Sequence, residues 1–185
     1  LDLGILGNRF TASLEYFHRQ TDNLILNVTL PPSMGFTNSQ VPQNVAAMKN
    51  DGFEAQLGYN DREGAFTWFA NANFSVITNK VLRLAEGITG IEAGGNPDFG
   101  TYNITNTAVG QPIQSFYGWN VLGIFQTQQE VDSSPEQTAS TAPGDLKFED
   151  TDKSGSIDIK DRQFLGSFIP KLSYGFNLGA NYKNF

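Results

Sequence analysis

From Leu172 to Tyr182 the chain reads LSYGFNLGANY, and apolar positions alternate with small polar ones without a break. Successive strand side chains point to opposite faces. Leu172, Tyr174, Phe176, Leu178, Ala180 and Tyr182 therefore share one face, and Ser173, Gly175, Asn177, Gly179 and Asn181 share the other. The same period recurs upstream. Phe10, Ala12, Leu14 and Tyr16 oppose Thr11, Ser13 and Glu15; Phe53, Ala55, Leu57 and Tyr59 oppose Glu54, Gln56 and Gly58. Phe66, Trp68, Ala70, Ala72 and Phe74 oppose Thr67, Phe69, Asn71, Asn73 and Ser75. Strands are predicted at 1–6, 10–27, 53–59, 66–75 (running on through Asn79-Lys80-Val81) and 172–182. Gly7-Asn8-Arg9 and Asn60 to Gly64 are short turns, the second closing an antiparallel hairpin, and Lys183 to Phe185 starts another. Thr29 to Lys49, Ala85 to Ala108 and Thr127 to Pro143 read as loops. Ser115 to Gln126 reads as an aromatic strand or a packed loop.

A soluble sandwich strand also alternates, but it seldom sets an apolar face against one made only of Ser, Gly and Asn. That pairing suits a wall with lipid on one side and a wet lumen on the other. Short turns alternate with long connections at 29–49 and 82–169, as periplasmic turns alternate with extracellular loops in outer-membrane barrels. Phe10, Tyr59, Phe66, Trp68 and Tyr182 gather beside the short turns, where an interfacial aromatic girdle belongs. Five strands cannot close a barrel, which takes about eight or more. The expected fold is all-β: antiparallel strands forming a fragment, 1–185, of a large transmembrane β-barrel, with 82–169 as a long extracellular loop region. A soluble β-sandwich is the alternative.

Composition narrows the function classes. The 185 residues carry a net charge of −7 with only 12 Lys and Arg, a poor match to a phosphate backbone, so no nucleic-acid partner is expected. The absence of cysteine excludes a disulfide framework, thiolate metal sites and cysteine catalysis. No stretch reaches the roughly 18 apolar residues of a transmembrane helix, whereas a barrel spreads its signal over short alternating segments.

Several local motifs, in order, resemble the late barrel of SusC/RagA-type TonB-linked outer-membrane transporters. They are Asn50-Asp51-Gly52-Phe53-Glu54 through Asp61, Asn71-Ala72-Asn73-Phe74-Ser75 with Asn79-Lys80-Val81, and Val109-Gly110-Gln111-Pro112 with Ser115-Phe116-Tyr117-Gly118. Gly123-Ile124-Phe125-Gln126 follows, then Pro143 to Phe148 with Asp150, Asp152, Gly155, Ile157, Asp158, Asp161, Arg162, Gly166 and Pro170, and the strand to Phe185. Two positions depart from the pattern: Gln114 stands where Gly is common, and Ser154 where Asp or Asn is common. The resemblance implies a bacterial outer-membrane location and import of oligosaccharides or peptides. It also implies a SusD-like surface lipoprotein as partner, and TonB acting through a plug domain outside this chain.

Asp150 to Asp161 matches the spacing of a twelve-residue calcium loop. Oxygen donors fall at Asp150, Asp152, Ser154, Asp158 and Asp161, the Ser156 carbonyl takes the seventh position, and Gly155 takes the sharp turn. The neutral Ser154 and the short Asp161 predict weak binding, in the roughly 10⁻⁴–10⁻³ M range of extracellular modules. The competing reading is an acidic surface loop held by Asx-turns without metal. Nine acids and three lysines between Glu130 and Asp161 give this segment −6 of the −7, a self-repulsion that a bound cation would relieve.

Phe116, Tyr117 and Trp119 are candidate contacts for a partner or a sugar, against the plainer expectation that they pack their own loop. His18, the one histidine, and the lumen-side pair Glu15 and Glu54 read as interfacial and solvated groups rather than catalytic ones. The functional expectation is a non-enzymatic transporter segment in contact with membrane lipid. A calcium-stabilised soluble β-domain of an adhesin is the runner-up, and a barrel enzyme is disfavoured by the lack of a nucleophile motif.

Overall fold

The computed structural model describes residues 1–29, 35, 40–95 and 102–183. The chain divides into two compact units, one formed by Leu1–Ile88, Val109–Pro112 and Ile169–Phe185, the other by Thr89–Ala108 and Ile113–Phe168.

The first unit is an antiparallel sheet in the order β1 (Asp2–Ile5), β2 (Phe10–Thr29), β3 (Gln40–Asp61), β4 (Phe66–Leu84), β11 (Leu172–Tyr182). Leu6, Gly7 and Asn8 take positive φ in the first turn, as the Gly-Asn signal requires. The register lines up the alternating faces strand by strand. Tyr16, Phe53, Val76 and Leu172 form one cross-strand row, and Leu14, Ala55, Phe74 and Tyr174 the next. Leu3, Ala12, Leu57, Ala72 and Phe176 follow, then Ile5, Phe10, Tyr59, Ala70 and Leu178. This continuous apolar face is uncovered: Tyr174, Phe176 and Leu178 are 79%, 68% and 62% exposed. In water each large side chain left out forgoes about 1.5–3 kcal/mol of burial. Such a face is what a lipid-facing wall presents, and among the described residues no second sheet covers it.

The opposite face carries Thr11, Ser13, Gln56, Asn71, Asn73 and Asn177 in the matching rows. Aromatic rings fill the gaps its glycines leave. A Cβ on Gly52 would lie 2.2 Å from the Phe17 ring, and one on Gly179 would lie 2.2 Å from the Phe69 ring, so both positions require glycine for close cross-strand packing.

Two expectations need correction. Among the described residues of 29–49, Thr29 ends β2 and 40–49 are strand, since β3 begins at Gln40; Pro31 and Pro32 lie outside the described residues. Pro42 is tolerated because β3 has only β2 beside it there, with β4 joining at Ala46 opposite Leu84. β2, β3 and β4 contain 20, 22 and 19 residues, about twice the 9–11 a tilted crossing needs. Residues 85–108 are not all loop either, for β5 (Ile91–Ala93) and β6 (Thr105–Thr107) pair there.

The second unit contains a sheet ordered β10 (Arg162–Gly166), β7 (Ser115–Trp119), β6, β5, and a ribbon of β8 (Val121–Ile124) with β9 (Leu146–Phe148). The aromatic stretch is thus two strands broken at Asn120. Within the polar 127–143 stretch lies a short helix, α1 (Gln128–Asp132), capped by Thr127. Phe125 is its large buried apolar side chain, at 2% exposure.

Candidate functional site

The acidic loop is bound to itself by its own carboxylates. Asp150 accepts from the Ser154 and Gly155 N–H groups at 3.1 and 2.8 Å, and Asp152 accepts from Ser154 N–H at 3.0 Å. Gly155 turns the chain at φ +86°, a conformation that favours glycine. Strand-like bonds from Ile157 N–H to the Glu136 carbonyl (2.7 Å) and from Glu136 N–H to the Gly155 carbonyl (3.0 Å) pin the loop to the segment after α1. Asp161 is fully buried and accepts from the N–H groups of Thr151 and Asp158, both at 2.8 Å, and of Asp152 at 3.4 Å. Those bonds, Asp158's foremost, hold its carboxyl below the usual range despite burial.

One ligand oxygen from each of Asp150, Asp152 and Asp161 lies within 4.8 Å of the others, a hard-oxygen trio of the kind calcium takes. The other predicted donors are placed differently. Asp158 turns its carboxylate to Lys160 N–H at 2.7 Å, forming a capping box with Asp161 at the 3-10 turn Ile159–Asp161. Ser154 donates its hydroxyl to the Ser156 carbonyl at 2.9 Å, so these two donors serve each other. The three carboxylates converge on one point, and the Asx-turn bonds hold the loop in that shape.

Next to Asp161, Arg162 is the centre of the second unit and was missed as a site by sequence reasoning. Its guanidinium is buried and donates to Glu92 at 3.2 Å, to the Tyr117 carbonyl at 3.3 Å and to the Asn103 carbonyl. It lies 4.6, 5.6 and 5.7 Å from the ring centres of Tyr117, Trp119 and Tyr102, within cation–π range. Trp119 also donates Nε1–H to the Asp158 carbonyl at 2.6 Å. Tyr117 and Trp119 thus pack the arginine and brace the acidic loop, while Phe116, on the other face of β7, is 44% exposed. Glu149 accepts from Asn120 and Gln163 at 2.7 and 2.8 Å, and these bonds lower its pKa.

In the first unit, Glu15 faces Glu54 across the polar side, and Ser75 donates to Glu54 at 3.2 Å. His18 pairs with Asp51 on the apolar-side parity, next to Tyr16. Neither arrangement assembles a nucleophile with a base.

The profile described as TonB dependent receptor-like, beta-barrel matches residues 1–185. The chain belongs to that TonB-dependent receptor β-barrel family. TonB-dependent receptor P26 of Formosa agariphila is 34% identical over 185 residues, all of this chain and 18% of that protein. TonB-dependent receptor SusC of Bacteroides thetaiotaomicron is 26% identical over 189 residues, again all of this chain and 17% of SusC. Among solved structures, the RagAB peptide transporter superposes with a TM-score of 0.70 at 24% identity, over 98% of this chain and 19% of that one. The chain spans about a fifth of the length of the relatives it matches, in keeping with a sheet of five strands whose two edges lack partners among the described residues.

Proposed function

We propose that this chain is late-barrel wall of an outer-membrane, TonB-dependent importer of peptides or oligosaccharides. The apolar rows face lipid, the Asn- and Ser-rich face lines the lumen, and the second unit belongs to a long extracellular connection. The observation that carries this is the register itself: five strands align their alternating apolar residues into continuous rows on one face, with amides, hydroxyls and glycines, packed by Phe17 and Phe69, on the other. A wall of amides and hydroxyls offers donors and acceptors to an uncharged polar cargo without trapping it electrostatically. Energy would come from TonB through a plug in another part of the protein, and a SusD-like lipoprotein would close the mouth. No residue here is assigned a catalytic role.

In that role the Asp150, Asp152 and Asp161 trio braces the loop, with calcium as the cation its oxygens suit. The test of the main reading is fractionation and uptake. The intact transporter should fractionate with the outer membrane, require detergent for extraction and lose uptake when TonB is absent. A water-soluble, cooperatively folding product would overturn it. For the brace, millimolar calcium should raise the thermal transition of the intact protein, and Asp150→Ala with Asp152→Ala should abolish the rise. A transition indifferent to calcium and chelator refutes it.

A further inference from the structure

β2, β3 and β4 continue past the apolar rows, and the chemistry of the same face changes at once. Beyond the Tyr16–Phe53–Val76 row come His18, Asp51 and Thr78, then Gln20, Lys49 and Lys80, then Ala47 and Arg83. The register thus sets Lys49 directly opposite Lys80, with Arg83 one row further on. Like charges directly across a strand pair repel and destabilise it. Asp51 answers only part of this charge: it is shared by Lys49 at 2.7 Å and by His18. Asp22 lies against the Gln20 amide at 3.2 Å. Lys80 and Arg83 are exposed, and among the described residues neither has an ion-pair partner. At the opposite, turn end of the sheet, Arg9 is paired with Glu63.

We propose that Lys80, Arg83 and Lys49, with His18, bind the phosphate-bearing headgroup of a membrane lipid whose acyl chains lie on the apolar rows below. Two features argue for this occupant. The unpaired cations complement a phosphate, and the strip is continuous with the lipid-facing band, starting one row beyond the 72%-exposed Tyr16 ring. A headgroup there would relieve the Lys49–Lys80 repulsion that the protein leaves standing. The proposal rests on the membrane reading above and adds a ligand class to it.

The test uses the intact transporter in detergent, titrated with phosphatidylglycerol and, in parallel, with a phosphate-free galactolipid; bound lipid is counted by native mass spectrometry. Each Lys or Arg near an anionic headgroup contributes about fivefold in affinity, so Lys80→Gln with Arg83→Gln should weaken phosphatidylglycerol binding about thirtyfold. Arg62→Gln with Lys183→Gln, at the turn end, should leave it unchanged. Equal binding by parent and Lys80/Arg83 variant overturns the proposal, as does a galactolipid that binds as tightly as phosphatidylglycerol. Heat-modifiable migration of each variant shows that the barrel is intact, so loss of lipid binding alone is read as loss of the site. A parent that folds without detergent overturns the membrane reading together with the site.

Discussion

Placing an arginine at Phe176 tests which side of the sheet meets lipid. β11 takes ten steps from Leu172 to Tyr182. At about 3.3 Å per step this is about 33 Å along the strand, and a tilt of about 40° reduces it to about 25 Å, the height of a lipid-facing band. Phe176 lies four steps from Leu172, hence about 10 Å below that end and close to the midplane. An arginine there costs about 2–4 kcal/mol. Asn177 is one step away on the opposite face, where a solvated arginine changes stability by about 0.5 kcal/mol or less. The expected gap of at least about 1.5 kcal/mol is more than about tenfold in the folding equilibrium. The assay is urea unfolding of the intact transporter in lipid vesicles, following heat-modifiable gel migration for Phe176→Arg and Asn177→Arg. Equal effects, or a larger effect at Asn177, would refute the assignment of faces.

Three further outcomes follow from the second unit. Arg162→Met should destabilise this unit by about 1–3 kcal/mol, because it leaves the Asn103 and Tyr117 carbonyls without their guanidinium donor; hydrogen exchange at Ser115–Trp119 reads it, and unchanged protection would refute the hub. Trp119→Phe keeps the ring but leaves the Asp158 carbonyl without its indole donor, and should cost about 1–3 kcal/mol by the same measurement. Asp161 has a folded pKa below its unfolded value near 3.9, so its contribution is present above that pH and is lost as the pH falls through the folded pKa. Acid unfolding of the unit should therefore begin below about pH 4, and Asp161→Asn should flatten that acid limb; an identical acid limb in the variant rules out this source.

The membrane-height part of the fold was legible because one face is apolar throughout and the other is mostly small or polar, and a period of two survives in a single sequence. The strand beyond that height was not. Residues 40–50 of β3 leave the bilayer, lose the obligatory alternation and contain Pro42, so they resemble a loop until β2 is seen beside them. The acidic loop was legible as spacing, and its turn at Gly155 was foreseen, but the spacing did not reveal which oxygens converge. The capping bond takes Asp158 out of the cluster, and the Ser154 hydroxyl is spent on Ser156.

Arg162 marks the deepest divide between the two levels. In sequence it is one basic residue after an acid. Its role arises because β5, the segment at Asn103 and β7 converge on one guanidinium from positions 45 to 70 residues away. Local alternation determined the wall, since each side chain there answers to the solvent on its own side of the strand. Tertiary structure decided which carboxylates converge in the acidic loop, the arginine hub and the basic strip around Lys80, because each depends on contacts between segments that no local pattern links.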